Sequence, residues 1–296
     1  MTNRQNGIEV NKQTEMKRQT ESKQIIRANI ISNDEIAADI FRMLIDAPQI
    51  ARGATPGQFV NLYTGHDALL LPRPLGIADV EGDKITLVYS VVGKGTRLFS
   101  ELHPGEAVRI LGPNGNGFVL PDQSERPAKV LLVGGGLGIP PLLFAARRLR
   151  EIEQLSTIRQ FVITGLLGFR DEPFFFTELE ALCDGLYTIS ETLGESRGTV
   201  IDLLGVHASS ISADLSSEDT NPVILTCGPK PMLRAVCGWA APRNMTIQVS
   251  MEERMGCGTG ACVGCTCRIK GDAGQSLSVK VCTDGPVFDG SNVIWQ

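Results

Sequence analysis

Histidine is scarce in this sequence, whose 296 residues include only three, at positions 66, 103 and 207. Acid–base or zinc chemistry that needs several imidazoles therefore has little to work with. The formal charge of −5 provides no basic excess for general nucleic-acid binding. The longest uncharged stretch, residues 130–146, is interrupted by glycines and prolines and is too short to span a membrane. We expect neither nucleic acid nor a membrane as a partner.

Residues 1–30 lack the apolar core of a signal peptide, so we expect a cytoplasmic protein. Large apolar residues are also few in residues 1–24, and this segment is predicted to be a disordered tail. Five of the eight cysteines lie between positions 257 and 282. In a cytosolic chain, such crowding indicates metal binding rather than disulfides.

The hydrophobic pattern predicts a multidomain β and α/β protein. Residues 25–124 contain short strands separated by turns (58–63, 85–92 and 107–111), which favour an antiparallel β-barrel. Residues 125–247 alternate strands with helices, as expected for a parallel-sheet α/β domain. Within them, residues 208–221 are rich in Ser and Asp and are predicted to form a mobile surface segment. Residues 248–296 are rich in Gly and Cys and lack a hydrophobic core of their own.

The strongest motif is a C-x4-C-x2-C run followed by a fourth cysteine, formed by Cys257, Cys262, Cys265 and Cys282. This is the ligand spacing of plant-type [2Fe–2S] clusters, in which each iron takes two thiolates. A structural zinc site is the alternative, although such sites usually use two C-x2-C pairs and only one is present. Spacing alone also leaves Cys267 open as the third ligand.

A second motif, G-x-G-x-x-P, places Gly136 and Gly138 between a predicted strand and a predicted helix at residues 141–150. Glycines allow the backbone to approach a phosphate, and the N-terminus of a helix offers free N–H groups and a positive dipole. An ordinary strand-to-helix turn is the alternative, because glycine-rich turns of this kind are common.

A third group of residues lies in the predicted barrel. An arginine can bind a pyrophosphate with its two-pronged guanidinium group, a tyrosine can cover an aromatic ring, and a Gly-Thr pair can donate hydrogen bonds. These residue types are equally compatible with barrel packing and turns. The group comprises Arg73, Pro74, Leu75 and Gly76, then Val88, Tyr89 and Ser90, and finally Gly95 and Thr96.

Seven segments together carry a family resemblance that covers residues 26–289. They are PGQFVNL (56–62), RPLGI (73–77), VYSVVGKGT (88–96), LGPNGNGF (111–118), VGGGLGIPPL (133–142), CGPKPML (227–233) and MGCGTGACVGCTC…VCTDGPVF (255–288). The chain resembles the electron-transfer subunits of bacterial NAD-dependent dihydroorotate dehydrogenases, in the ferredoxin reductase superfamily. The resemblance implies an FAD barrel, an NAD domain and a C-terminal [2Fe–2S] segment, in this order.

The resemblance also implies a partner, an FMN-containing catalytic subunit that oxidises dihydroorotate to orotate in pyrimidine (UMP) biosynthesis, in a heterotetramer of two plus two. Electrons would pass from that FMN through the cluster and FAD to NAD+, and no side-chain acid or base is needed as a catalytic residue. The runner-up is a related NAD(P)H–ferredoxin or sulfur-reductase subunit, but those relatives often have Asp where this chain has Cys257. A non-catalytic zinc- and nucleotide-binding module is the rival from another class.

The resemblance assigns roles to the barrel residues. Arg73, Pro74, Leu75 and Gly76 would lie on the FAD, with Arg73 near its pyrophosphate. Val88, Tyr89 and Ser90 would flank the flavin nucleotide, and Gly95 and Thr96 would complete the phosphate contacts. Gly136 and Gly138 would bind NAD, and Cys227 would lie beside the nicotinamide. The family usually has Ser in place of Gly76 and often Arg in place of Ser90, so we expect FAD binding to be differently tuned.

Single cysteine replacements test the ligand assignment. Changing Cys257, Cys262, Cys265 or Cys282 to Ala should abolish or severely reduce iron incorporation, because one of the two irons would lose one of its two protein ligands. Cys267→Ala is the matched control and should retain the iron content of the natural chain. If Cys267→Ala loses iron while Cys265→Ala keeps it, the third ligand has been assigned to the wrong thiol.

Overall fold

The computed structural model describes residues 24–121, 127–156, 158, 160–194, 197–213 and 222–295. All but the last residue of the predicted tail, 1–24, therefore lies outside the described residues. Within the described ranges, no helix is both long and apolar enough to cross a membrane.

The first domain is a closed antiparallel β-barrel, as predicted, and the structure shows its strand order to be β1-β2-β5-β4-β3-β6. Two short helices, α1 (Pro48–Ala51) and α2 (Lys94–Ser100), lie between its strands. The strands are β1 (Ile26–Ala37), β2 (Ile40–Asp46), β3 (Phe59–Tyr63), β4 (Arg73–Glu81), β5 (Lys84–Ser90) and β6 (Ala107–Asn114).

Both faces of several barrel strands are buried. In β3, Val60 and Leu62 point into the barrel core, whereas Phe59 belongs to a core shared with the α/β domain. In β4, Ile77 likewise packs in the barrel core, whereas Ala78 packs in a core shared with the α/β domain. The outer face of these barrel strands is therefore buried against the α/β domain, and the two domains share this interface.

The α/β domain contains a six-stranded sheet with the order β14-β11-β10-β7-β8-β9. Its neighbouring strands are parallel except for the β11–β14 pair, which is antiparallel. The elements are β7 (Ala128–Gly135), α3 (Ile139–Gln154), β8 (Phe161–Phe169), α4 (Phe176–Glu180), β9 (Gly185–Ser190), α5 (Val200–Ala213), β10 (Val223–Cys227), α6 (Lys230–Ala240), β11 (Thr246–Ser250) and β14 (Val287–Asp289). Short 3-10 turns occupy Gly136–Gly138 and Ala241–Arg243.

The C-terminal segment leaves the sheet after β11 and returns to it as β14. Between them, a loop carries most of the clustered cysteines and is followed by the hairpin of β12 (Thr266–Lys270) and β13 (Ser276–Lys280). The return is held by main-chain hydrogen bonds, including Met251 N–H to the Pro286 carbonyl at 2.8 Å. The predicted fold class, a barrel followed by a parallel α/β sheet and a small C-terminal segment, is thus confirmed.

One helix extends further along the chain than the sequence pattern predicts. The first residues of the predicted surface segment, 208–213, continue helix α5, and residues 214–221 lie outside the described ranges. The helix is favoured by apolar residues four apart, because Val200 and Leu204 both pack in the shared core. Its first turn is capped by Asp202, whose carboxylate accepts hydrogen bonds from the amide and hydroxyl of Thr199.

A partly buried ion pair joins the barrel to the α/β domain. Arg147 of α3 donates from Nε to Oδ2 of Asp79 in β4, over 2.7 Å. Burial raises the pKa of the Asp79 carboxyl, and the neighbouring Arg147 opposes that shift. Removing Arg147 would leave the Asp79 carboxylate without its charged partner in a poorly hydrated place, whereas Arg147 also pairs with Glu81 over 3.3 Å.

Two exposed glycines inside helices offer a test of the fold. A Cβ at Gly205 in α5 or at Gly238 in α6 meets no atom within 4 Å. Gly205→Ala and Gly238→Ala should each raise the free energy of unfolding by about 1 kcal/mol, because alanine loses less backbone entropy in a helix. Chemical denaturation measures the change.

Gly138→Ala is the opposite case, since its Cβ would overlap the Cys227 carbonyl. This variant should be clearly destabilised. Equal stabilities for all three variants would contradict the described packing.

Candidate functional site

The cluster loop, residues 255–265, is built around main-chain N–H groups that point at sulfur. The amides of Thr259 and Cys262 donate to Cys257 Sγ over 3.4 and 3.3 Å. The Gly260 amide donates to Cys282 Sγ over 3.2 Å. Positive φ angles at Gly258 (64°) and Gly260 (85°) allow the backbone to turn these amides inward. Such donors stabilise a negatively charged sulfur.

The electrostatics of the loop favour thiolate formation at its first cysteine. The hydrogen bond from the Thr259 amide lowers the pKa of Cys257 to about 6. Burial raises the pKa of Cys282 to about 11. Cys265 and Cys282 are buried and Cys262 is exposed, so the set extends from the interior to the surface. Thiolates are the form in which cysteine binds iron.

The donor set fits a two-iron cluster. Within the described residues, no three Cys, His, Asp or Glu side chains are arranged around a single ion. A [2Fe–2S] cluster does not require such an arrangement, because it divides four thiolates between two irons. Cys267 lies on strand β12 outside the loop and lines a cavity of about 520 Å³ with Lys230 and Trp295. The ligand set Cys257, Cys262, Cys265 and Cys282 remains a prediction.

Arg73 and Gly95 meet at the rim of the barrel. A Cβ on Gly95 would overlap the guanidinium of Arg73, so the glycine leaves room for it at the first turn of α2. The guanidinium is further oriented by a hydrogen bond from Nη1 to the Leu71 carbonyl, at 2.7 Å. A positioned arginine beside free helix amides is suited to a pyrophosphate.

The structure corrects the roles expected for two side chains. Tyr89 is buried in the barrel core, where its ring packs against Phe41 and Phe99 and its hydroxyl donates to Asn33 Oδ1 over 2.9 Å. It cannot cover a flavin ring, because β5 turns it inward. Thr96 donates its only hydroxyl hydrogen to the Gly93 carbonyl and accepts from the amides of residues 92 and 93. Thr96 therefore shapes the turn instead of donating its hydroxyl to a phosphate.

The remaining barrel residues lie along β4 and the end of β5. Pro74, Leu75 and Ser90 are half-buried, whereas Val88 is buried in a core shared with the α/β domain. A Cβ on Gly76 would stand 3.3 Å from Pro141 Cγ, a tight contact with the start of α3. Serine at position 76, usual in the family that the chain resembles, would therefore press on the α/β domain as well as add a hydroxyl.

The glycine-rich turn and Cys227 are brought together by the parallel sheet. Cys227 lies beside Gly134 in the register of β10 and β7, so both strands end at one edge. Gly136 has a φ of 51° and open space around a would-be Cβ. Gly138 instead allows the turn to pack on the carbonyl of Cys227. Burial raises the pKa of the Cys227 thiol to about 12, so this group stays neutral.

Sequence reasoning missed Asn61 at the contact between the barrel and the cluster loop. Its Nδ2 donates to the Cys257 carbonyl over 3.0 Å, and the side chain is fully buried. Its Oδ1 has no hydrogen-bond partner among the described residues. The only sequence signal is one amide within the otherwise apolar core of the QFVNLY strand.

Solved structures with this architecture define the class of protein. A chain of an NADH-dependent reduced ferredoxin–NADP oxidoreductase aligns with a TM-score of 0.72 and 28% identity, covering 90% of both chains. The ferredoxin–NADP+ reductase of Neisseria gonorrhoeae, solved with bound FAD and NADP, aligns with a TM-score of 0.57 and 20% identity over 76% of this chain and 92% of that one. The fold is that of the ferredoxin–NADP reductases.

Sequence relatives narrow the class to a family. Residues 252–294 match the model of the iron-sulfur cluster binding domain of dihydroorotate dehydrogenase B. The dihydroorotate dehydrogenase B (NAD(+)) electron transfer subunit of Caldanaerobacter subterraneus is 33% identical over 91% of this chain and 98% of its own. The subunit of the same name in Bacillus velezensis is 39% identical, with 88% and 96% covered. The chain belongs to the family of dihydroorotate dehydrogenase B electron transfer subunits.

The contact between Gly95 and Arg73 predicts a specific FAD-binding defect. Gly95→Ala should displace the guanidinium and weaken FAD binding by about tenfold, the loss expected for one hydrogen bond to a charged group. Titration of the flavin-free protein with FAD, followed by fluorescence, measures the change. Gly93→Ala is the matched control, because a Cβ there meets nothing within 4 Å. Equal FAD affinities for the two variants would contradict the role given to Arg73.

Proposed function

We propose that this chain carries electrons from the FMN of a dihydroorotate dehydrogenase catalytic subunit, through a [2Fe–2S] cluster and FAD, to NAD+ in pyrimidine (UMP) biosynthesis. The observation that carries the proposal is the contact of the cysteine loop with the outer face of the barrel, through Asn61 and Cys257. Two redox sites that exchange electrons must lie close together, and this contact supports such an arrangement. The family to which the chain belongs supplies the names of the partner and the pathway.

The three segments divide the binding tasks. We assign FAD to residues 25–124, NAD to residues 125–247 and the cluster to residues 248–296. Arg73 and the amide of Gly95 hold the FAD pyrophosphate, beside the strand that carries Pro74, Leu75 and Gly76. Val88 and Ser90 flank the flavin nucleotide through the strand β5, and the buried Tyr89 supports that strand from inside. Thr96 keeps the phosphate turn in shape.

The α/β domain binds the nicotinamide cofactor at the edge where β7 and β10 end. The open space at Gly136 and the N-terminus of α3 receive its pyrophosphate, because free amides and the helix dipole favour negative charge. Gly138 holds this turn against Cys227, which lines the nicotinamide site as a neutral thiol. When bound, the flavin supplies hydride exchange with NAD and one-electron exchange with the cluster. The protein binds and orients, and no side chain acts as a catalytic acid or base.

The surface end of the cysteine loop faces outward from the barrel. Cys262 and the neighbouring Val263 are exposed, and Val263 has a φ of 56°, an unusual conformation for a β-branched residue. We place the FMN-containing catalytic subunit on this side, in a heterotetramer of two plus two. We also propose the cytoplasm as the compartment, because no disulfide joins any two of the eight cysteines.

A second candidate is an NAD(P)H–ferredoxin reductase subunit. It is favoured by the 28% identity over 90% of the chain to the NADH-dependent reduced ferredoxin–NADP oxidoreductase. The partner separates the two candidates. NAD+-dependent orotate formation from dihydroorotate on mixing with the catalytic subunit supports the first, and reduction of ferredoxin by NADH or NADPH without that subunit supports the second.

Removing the cluster should divide electron transfer into two halves. A Cys282→Ala chain that retains FAD should be bleached by NADH as fast as the natural chain, because the nicotinamide and flavin sites lie outside the loop. The same variant should lose NAD-dependent dihydroorotate oxidation when mixed with the catalytic subunit. Stopped-flow absorbance measures bleaching, and orotate formation measures coupled turnover.

Cys267→Ala serves as the control for this experiment and should retain both activities. A cluster-free variant that keeps FAD but is not bleached by NADH would refute the order NAD, FAD, cluster and FMN.

A further inference from the structure

Asn61 is a fully buried polar residue of strand β3, and its side chain points away from the barrel core. Its neighbours Val60 and Leu62 are buried inside the barrel, so alternation along the strand directs Asn61 outward. The outer face at this position is covered, and the side chain of Asn61 is 0% exposed. An amide in such a place must be hydrogen-bonded or carry an energetic penalty.

The amide is only half satisfied. Nδ2 donates to the Cys257 carbonyl over 3.0 Å, which connects β3 to a residue 196 positions later. Oδ1 accepts no hydrogen bond from the described residues. A leucine at this position would avoid the unsatisfied acceptor, so fold stability alone does not account for asparagine.

The cluster loop is shaped to fit this amide. Gly258, which follows the first cysteine, lies so close that a Cβ would overlap both Oδ1 and Nδ2 of Asn61. Its φ of 64° is a second reason for glycine, because other residues rarely adopt that conformation. The Cys257–Gly258 peptide is thus held against the Asn61 amide both by a hydrogen bond and by close packing.

On the barrel side, Asn61 lies next to the strand to which FAD is assigned. Asn61 pairs with Pro74 in the antiparallel register of β3 and β4, and Gly76 pairs with Phe59. The path from the flavin strand to the first cysteine of the loop therefore crosses one strand pairing and one hydrogen bond.

We infer that Asn61 is a positioning residue that fixes Cys257 relative to the FAD strand and so sets the rate of electron transfer between flavin and cluster. In this step one electron leaves one centre and enters the other, and no bond of the protein forms or breaks. Asn61 does not touch the reacting atoms and acts through the Cys257–Gly258 peptide. This inference rests on the proposed function, because it requires both FAD and the cluster.

Asn61→Leu is the decisive variant. It removes the hydrogen bond to Cys257 together with the unsatisfied acceptor, and an apolar side chain of similar size suits a buried site. We expect FAD content, iron content and thermal stability close to those of the natural chain. Reduction of the flavin by NADH should keep its rate, whereas the following reduction of the cluster should slow by about tenfold, as is typical when an outer partner of a metal ligand is removed.

Stopped-flow absorbance separates the two phases, and the electron paramagnetic resonance spectrum of the reduced cluster reports its surroundings independently of turnover. That spectrum should change in Asn61→Leu. Asn114→Leu is the matched control, because Asn114 is also buried and donates its Nδ2 to a main-chain carbonyl, that of Leu111, within its own strand. This control should leave both the cluster reduction rate and the spectrum unchanged.

Each further outcome decides a separate point. An Asn61→Leu chain with natural cluster reduction and an unchanged spectrum overturns the inference. If Asn61→Leu fails to incorporate iron, Asn61→Asp takes its place, since it keeps the size of the side chain but replaces the Nδ2 donor. Loss of iron in both variants also overturns the inference, because Asn61 would then retain the cluster rather than position it. A natural chain that holds both cofactors but passes no electrons between them refutes the proposed function itself.

Discussion

The arrangement of the molecule depends on the burial of the outer face of the barrel. Phe59 and Ala78 leave the barrel core and enter cores shared with the α/β domain. Burying apolar surface of this kind is the main favourable contribution to folding. Because the contact is apolar and the Asp79–Arg147 pair fixes its register, the barrel and the sheet form a continuous body. Strand β4 and the turn after β7 consequently face each other across the site.

Glycines set the distances within that site. Gly95 makes room for Arg73, Gly138 lets the phosphate turn pack on Cys227, and Gly258 lets the cysteine loop pack on Asn61. In each case a single methyl group would overlap the neighbouring group. These three contacts position the predicted FAD, NAD and cluster sites respectively, so the space left by small residues organises the site as much as the polar groups do.

The sequence predicts those parts of the structure that depend on local patterns. Strand–helix alternation identifies the α/β domain, and the spacing of Cys257, Cys262 and Cys265 identifies the loop. The inward orientation of Tyr89 follows a local pattern as well, because Ile85, Leu87 and Tyr89 alternate along β5 with the polar Lys84, Thr86 and Ser90, although the residue types alone suggest a role at the flavin. The contact of Asn61 with Cys257 joins residues far apart in the chain and leaves no local pattern. The hydrogen bonds that the Thr96 hydroxyl makes within its turn are not predictable either, because the residue types of the turn do not determine its geometry.

The chain returns to the sheet as β14, and the position of this strand suggests that iron content affects aggregation of the protein. Strand β14 covers one edge of the sheet by pairing with β11, and it follows the fourth cysteine closely along the chain. We expect a loop that never assembles its cluster to hold this strand less firmly, because metal binding is coupled to folding. An uncovered edge strand is a template for pairing with other chains. We therefore expect iron supply during synthesis to affect aggregation of the protein as well as its electron transfer.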